Sequence, residues 1–170
     1  MVGAVFFMAG SPPSNASPPA QTFKISTWNM DWLLSTPAQN APDVPPDIPH
    51  RSADDLSALA TYAQRLRSDL IGLQEVGDST TLGHLFNPQD YQILLSNDAI
   101  AQHTALAVRR GLTIQRNPDV STLAPDPTAA HHPLRSGLDI NVRIGRMTLR
   151  ILVVHLKTGC WDNPISETRY

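Results

Sequence analysis

Three short apolar runs along the chain alternate with polar positions, and each ends in a side chain suited to phosphoester chemistry. Phe23-Lys-Ile-Ser-Thr-Trp-Asn29 ends in an amide, Asp69-Leu-Ile-Gly-Leu-Gln-Glu75 in a carboxylate and Leu149-Arg-Ile-Leu-Val-Val-His155 in an imidazole. Runs of this length and composition predict strands, whose side chains alternate between faces with a period of two. On that parity Phe23, Ile25 and Thr27 share a face with Asn29, Ile71 and Leu73 with Glu75, and Leu149, Ile151 and Val153 with His155. The amide, the acid and the imidazole would then emerge from core-facing sides at C-terminal strand edges. A sheet that gathers those edges builds a polar pocket at one end.

The remaining pattern predicts mixed α/β layers. Ser35–His50 is loop by composition, with five prolines and no apolar period. Ser52 then caps a helix, with Asp55 three residues on and Leu56, Leu59, Ala60, Ala63 and Leu66 forming one stripe. A short helix is expected at Thr80–Phe86, stopped by Asn87-Pro88, and strands at Tyr91–Leu95, Thr104–Arg109 and Thr113–Arg116. Leu123–His132 reads as loop. Gly137–Ile144 and Met147–His155 read as a hairpin turning at Gly145-Arg146, because a two-residue link containing Gly suits hairpin turns. Strand, helix and strand in that order imply a sheet covered by helices.

Composition sharpens this picture only in places. The chain has 170 residues, enough for one cored domain, and 41% hydrophobic against 16% charged residues suits a globular protein. Net charge is −2, which excludes a global basic footprint for nucleic acid. The distribution is uneven: residues 1–100 hold four Lys/Arg and ten Asp/Glu, residues 101–170 nine and five. That excess is either scattered solvated charge or a field in which Arg109, Arg110, Arg135 and Lys157 attract a phosphate-bearing ligand. Residues 1–21 read as a secretory signal or a disordered tail, because Val2–Ala9 is apolar, too short to span a bilayer, and followed by small residues. Export to the periplasm or medium is the expectation, although no positive residue precedes the apolar stretch. Cys160 is the only cysteine, either an inert small residue or a thiol whose partner is elsewhere.

Each candidate has a plainer reading. Glu75 offers the carboxylate oxygen that a hard cation such as Mg²⁺ takes, or is a surface Glu after a buried strand. Asn29 orients a phosphate or a metal-bound water, or ends a strand as Asn often does. His155 donates a proton to a phosphoryl oxygen, or sits satisfied at the core edge. Their joint occurrence on the same parity of separate strands is what favours chemistry.

Those residues also carry a resemblance. Thr27-Trp-Asn-Met-Asp-Trp32, Ile71-Gly-Leu-Gln-Glu-Val76 and Val153-Val-His-Leu-Lys-Thr-Gly159 resemble signature segments of the endonuclease/exonuclease/phosphatase superfamily, the deoxyribonuclease I-like proteins. The likeness runs from about Phe23 onward and makes 22–170 the N-terminal portion of such a domain. It implies an α/β fold, part of a four-layer α/β/β/α sandwich truncated at the C-terminus, with the site at one end of the packed sheets. It implies a metal-dependent phosphodiester hydrolase using Mg²⁺ or Mn²⁺ on a phosphodiester substrate. Because the sequence shows no amphipathic or lipid-anchoring stretch, a nuclease-like enzyme on nucleic acid, without membrane insertion, is the expectation. Asn29 and His155 match catalytic positions, Glu75 with Asn29 the metal site, and Arg135 with His155 phosphate contacts. The family's later Asp-x-Asn and Ser-Asp-His-like segments are absent, and Asp162-Asn163 does not replace them. The expectation is therefore an inactive portion of an enzyme. The alternative is a catalytically silent interaction or phosphate-ligand-binding module of the same fold.

Overall fold

A computed structural model describes residues 22–35, 39, 44–123 and 135–156. The N-terminal apolar segment, most of the loop expected at Leu123–His132, Lys157, Cys160 and Asp162-Asn163 lie outside the described residues. The elements are β1 (Ile25–Leu33), α1 (Ala53–Leu66), β2 (Leu70–Val76), α2 (Ser79–Leu85), β3 (Tyr91–Leu95), β4 (His103–Arg109), β5 (Thr113–Arg116), a 3₁₀ turn (Ser121–Leu123), β6 (Leu138–Ile144) and β7 (Met147–Val153).

α1 forms where its cap and stripe require. The Ser52 hydroxyl accepts the Asp55 N–H at 3.1 Å while the Asp55 carboxylate accepts the Ser52 N–H at 2.8 Å, a reciprocal cap. Leu56, Leu59, Ala63 and Leu66 then pack on one face of the first sheet, and Arg67 ends the helix in the left-handed region.

That sheet has the order β1-β2-β4-β3, with β1 and β2 parallel and the other pairs antiparallel. One face, with Ile71, Leu73, Ala105 and Ala107, packs under α1 and α2. The other face, with Leu70, Leu106 and Val108, packs on Leu138, Ile140, Val142 and Val153 of the antiparallel sheet β5-β6-β7. Burying each such aliphatic side chain contributes about 1.5–3 kcal/mol before chain entropy is counted. The described residues thus form helices, sheet and sheet in layers, and both sheets are hydrophobic where they meet. Gly72 sits at this junction, where a Cβ would meet the Val153 methyls at 3.6 Å.

The expected parity is corrected in two strands. Ile25 and Thr27 are exposed, and Trp28 and Met30 enter the helix-side core instead. β1 is an edge strand, so its 25/27/29 face lies toward the second sheet but beyond the cover β7 provides. Leu149 is likewise exposed on edge strand β7, whereas Ile151 and Val153 join the inter-sheet core. Glu75 does not share the helix-side face of Ile71 and Leu73, because its backbone turns at φ 60° and its side chain meets Asn29.

On the opposite face of β6 from Leu138 and Ile140, Asp139 is buried with its carboxylate on Arg150 Nε at 3.0 Å and Asn117 Nδ2 at 3.0 Å. The Arg150 guanidinium, then the Asn117 amide, hold this carboxyl below the usual carboxylate range. A depressed folded-state pKa adds stability that is complete above the unfolded value and is lost as pH falls through the folded one. Asp139→Asn is expected to lower stability at pH 7 and to flatten the acid limb of a stability–pH curve measured by denaturant unfolding.

Candidate active site

The site begins with a break in strand pairing. Asn29 faces Gln74 and Leu33 faces Val76, so β1 places Met30, Asp31 and Trp32 opposite Glu75 alone. On the other side Thr104 faces Gln74 and His103 faces Val76, which leaves Glu75 without a partner on β4 either. Glu75 has φ 60°, and Asp31 and Trp32 have φ 49° and 57°. Residues other than Gly reach this left-handed region at a cost of about 1–2 kcal/mol each. The turn at Glu75 swings its side chain off the alternation of β2 and toward Asn29. Bulges that re-aim a side chain in this way concentrate beside functional sites.

Hydrogen bonds hold the arrangement. Asn29 Nδ2 donates to Glu75 Oε1 at 2.9 Å, while Asn29 Oδ1 accepts the Asp31 N–H at 2.9 Å. The backbone donor fixes which end of the amide faces the carboxylate. Glu75 Oε2 accepts the Trp32 N–H at 3.3 Å and Gln102 Nε2 at 3.0 Å. Arg51 Nη2 donates to the Asp31 carbonyl at 3.1 Å and pairs with its carboxylate at 3.4 Å, clamping the left-handed pair from outside.

The imidazole arrives from the second sheet. His155 follows the end of β7 and places Nε2 3.5 Å from Glu75 Oε1, with both side chains largely buried. Its Nδ1 lies against Arg135 Nη1. A guanidinium carries donors only, so Nδ1 accepts and the ring proton sits on Nε2. Burial first, then the Arg135 charge, push the imidazole below its ordinary pKa, against the opposing pull of Glu75. His155 is therefore neutral at pH 7, with Nε2–H toward the carboxylate.

Arg135 is placed by its neighbour. The Ser136 N–H and hydroxyl donate to Asp98 at 2.9 and 2.7 Å, and the Ser136 carbonyl accepts from Thr104 on β4 at 3.1 Å. Burial raises the Asp98 pKa, but the Ser136 and Ser96 hydroxyls and the Ser136 N–H outweigh it and hold the carboxyl below the usual range.

The fold thus brings Asn29, Glu75, Arg135 and His155 together. Arg109 and Arg110 do not join them, which corrects the basic-field reading. β4 runs antiparallel to β2, so Arg109 lies at the far end of the sheet, bonded to Asp69 at 3.1 Å and to the Ser68 carbonyl at 3.2 Å. Arg110 donates to the Pro88 carbonyl. Gln102 is the member that sequence reasoning missed, since one Gln ahead of an apolar strand carries no signal of its own.

Among the described residues no group of three or more His, Cys, Asp and Glu side chains could hold a metal ion. One carboxylate is nevertheless within what Mg²⁺ or Mn²⁺ take from a protein, since these ions use one or two carboxylates and complete their shell with water and phosphate. In a ¹⁵N spectrum of the His155 ring at pH 7 the Nε2–H tautomer is expected to dominate, and Arg135→Met to give a tautomer mixture. Dominance of Nδ1–H in the unaltered chain would contradict the arrangement.

No family model matches this sequence, and no curated protein matches it. Solved structures do. TDP2 from Caenorhabditis elegans, in its selenomethionine form, superposes with TM-score 0.56 at 18% identity over 81% of this chain and 36% of that one. A second C. elegans TDP2 structure gives 0.52 at 18% identity over 76% and 34%. The chain thus spans about a third of the length of these neighbours. The likeness is one of fold: two sheets with helices on one side, part of the deoxyribonuclease I-like α/β architecture that the resemblance implied.

Proposed function

We propose that this chain carries part of the active site of a metal-dependent phosphodiester hydrolase with a nucleic-acid substrate. The observation behind this reading is the convergence of Asn29, Glu75, Arg135 and His155 from separate strands and loops around one carboxylate. A structural role needs neither the left-handed turn at Glu75 nor a largely buried acid facing an imidazole and a guanidinium. The exported location that the apolar Val2–Ala9 segment suggests belongs to the same proposal.

Glu75 would hold Mg²⁺ or Mn²⁺, with Asn29 orienting its carboxylate. When bound, the ion polarises a phosphoryl oxygen and stabilises the charge that develops there. His155, neutral with a proton on Nε2, donates a hydrogen bond to a phosphate oxygen or to the departing oxygen. Arg135 supplies fixed positive charge behind the imidazole and adds to the same stabilisation. Among the described residues no third His, Cys, Asp or Glu joins Glu75 and His155 in a group that could hold a metal ion, and Asp98, beside Arg135, is taken up by Ser136 rather than left to activate water. Absence of a general base costs about a hundredfold or more. Residues 22–170 alone are therefore expected to show no Mg²⁺-dependent cleavage of a phosphodiester above background. Measurable turnover that Glu75→Gln removes would overturn the inactive reading.

Ligand binding separates the hydrolase from the silent-module alternative. With a non-hydrolysable dinucleotide phosphorothioate, Mn²⁺ is expected to broaden the ³¹P resonance in the unaltered chain. His155→Ala should weaken the effect, and Glu75→Gln should remove it. Salt-sensitive dinucleotide binding that needs no metal and survives Glu75→Gln would favour the binding module instead.

A further inference from the structure

Gln102 directly precedes β4, is only 7% exposed, and gives its side-chain amide to the acid on which the site is built. We propose that Gln102 is a positioning residue that fixes the Glu75 carboxylate for a divalent ion; this rests on the metal-dependent reading above. A glutamate has freely rotating side-chain bonds, and one partner on one oxygen leaves it able to pivot. Asn29 takes Oε1, so the orientation of the group depends on what holds Oε2. Two donors meet there, the Trp32 N–H at 3.3 Å and Gln102 Nε2 at the shorter 3.0 Å. Because the β2–β4 register skips Glu75, that residue has no partner opposite it on β4, and the Gln102 side chain reaches across to it.

The chemical type matters as well as the reach. A neutral amide donates without adding charge, so the carboxylate keeps its full negative charge for the ion. Lysine or arginine in the same place would hold the group and repel the cation, and glutamate would repel the carboxylate itself. Each carboxylate oxygen accepts about two bonds, so with Trp32 and Gln102 on Oε2 the direction left for an ion is on Oε1, beside the Asn29 amide. Outer residues that hydrogen-bond a metal ligand commonly cost about ten- to a hundredfold in metal affinity when removed.

The test titrates Mn²⁺ into the purified chain, Gln102→Met, which keeps the length but not the donor, and Glu75→Gln, with ¹⁵N spectra of each. The expected result is binding by the unaltered chain, none by Glu75→Gln, and affinity at least about tenfold weaker in Gln102→Met. The Trp32 amide, which shares Oε2, should shift in Gln102→Met before any metal is added. If Gln102→Met does not fold, the unaltered chain still decides: substoichiometric Mn²⁺ should broaden the Gln102 side-chain amide signals ahead of other glutamines. A Gln102→Met protein that binds within twofold of the unaltered chain with an unmoved Trp32 amide overturns this inference alone, as do unbroadened Gln102 signals beside bound Mn²⁺. Absence of Mn²⁺ binding by the unaltered chain, or binding that Glu75→Gln leaves intact, overturns the metal-dependent reading and this inference with it.

Discussion

The left-handed turn at Glu75 is the constraint on which the site depends. At that residue the register skips on both sides, and with φ 60° its side chain leaves the strand's alternation. The local cost of about 1–2 kcal/mol is comparable to one hydrogen bond to a charged group, worth about 1.5–3 kcal/mol. Glu75 has three such donors within 3.3 Å, from Asn29, Trp32 and Gln102. A glycine here would relax the backbone and leave those donors facing nothing. The sequence therefore breaks a local conformational rule where a carboxylate is needed, which is the usual place for such strain.

Topology explains why the other groups reach the same acid. β1 and β2 are parallel, so the C-terminal ends that carry Asn29 and Glu75 lie side by side. β4 is antiparallel to β2, so its beginning, with Gln102, meets their ends. The second sheet packs against the Leu70, Leu106 and Val108 face, and β7 delivers His155 just past the buried Val153. Asp98 anchors Ser136, and Arg135 is thereby held beside the ring. Apolar packing between the sheets sets the distance, and polar contacts at the rim set the orientation.

Much of this was legible from the chain, though not always by the right route. The Ser52 cap and the α1 stripe carry their own local signals, and Tyr91–Leu95 and Thr113–Arg116 were bounded correctly by turn residues. Period-two parity led to an amide, an acid and an imidazole that the fold does bring together, yet Asn29 lies on the face opposite Trp28 and Met30 and Glu75 joins it only through its positive φ. No glycine marks the left-handed residues Asp31, Trp32 and Glu75, so their conformation could not be read. Long-range partners were equally silent: Gln102 becomes significant only when the antiparallel pairing of β4 is known. The clustering of Arg109 and Arg110 in sequence suggested a shared field, but strand direction carries Arg109 to Asp69 at the opposite end.

The β6–β7 hairpin gives the imidazole its address. Its register runs from Ile144 opposite Met147 to Leu138 opposite Val153 across the Gly145-Arg146 turn, with Gly145 at φ 59°. Sliding β7 by one residue would exchange its two faces. The buried Val153 would trade places with a neighbour, and the ring two positions on would point away from Glu75. A tight bend that touches no phosphate ligand, at the far end of the ribbon, thus keeps the count that decides which side of the protein the histidine serves.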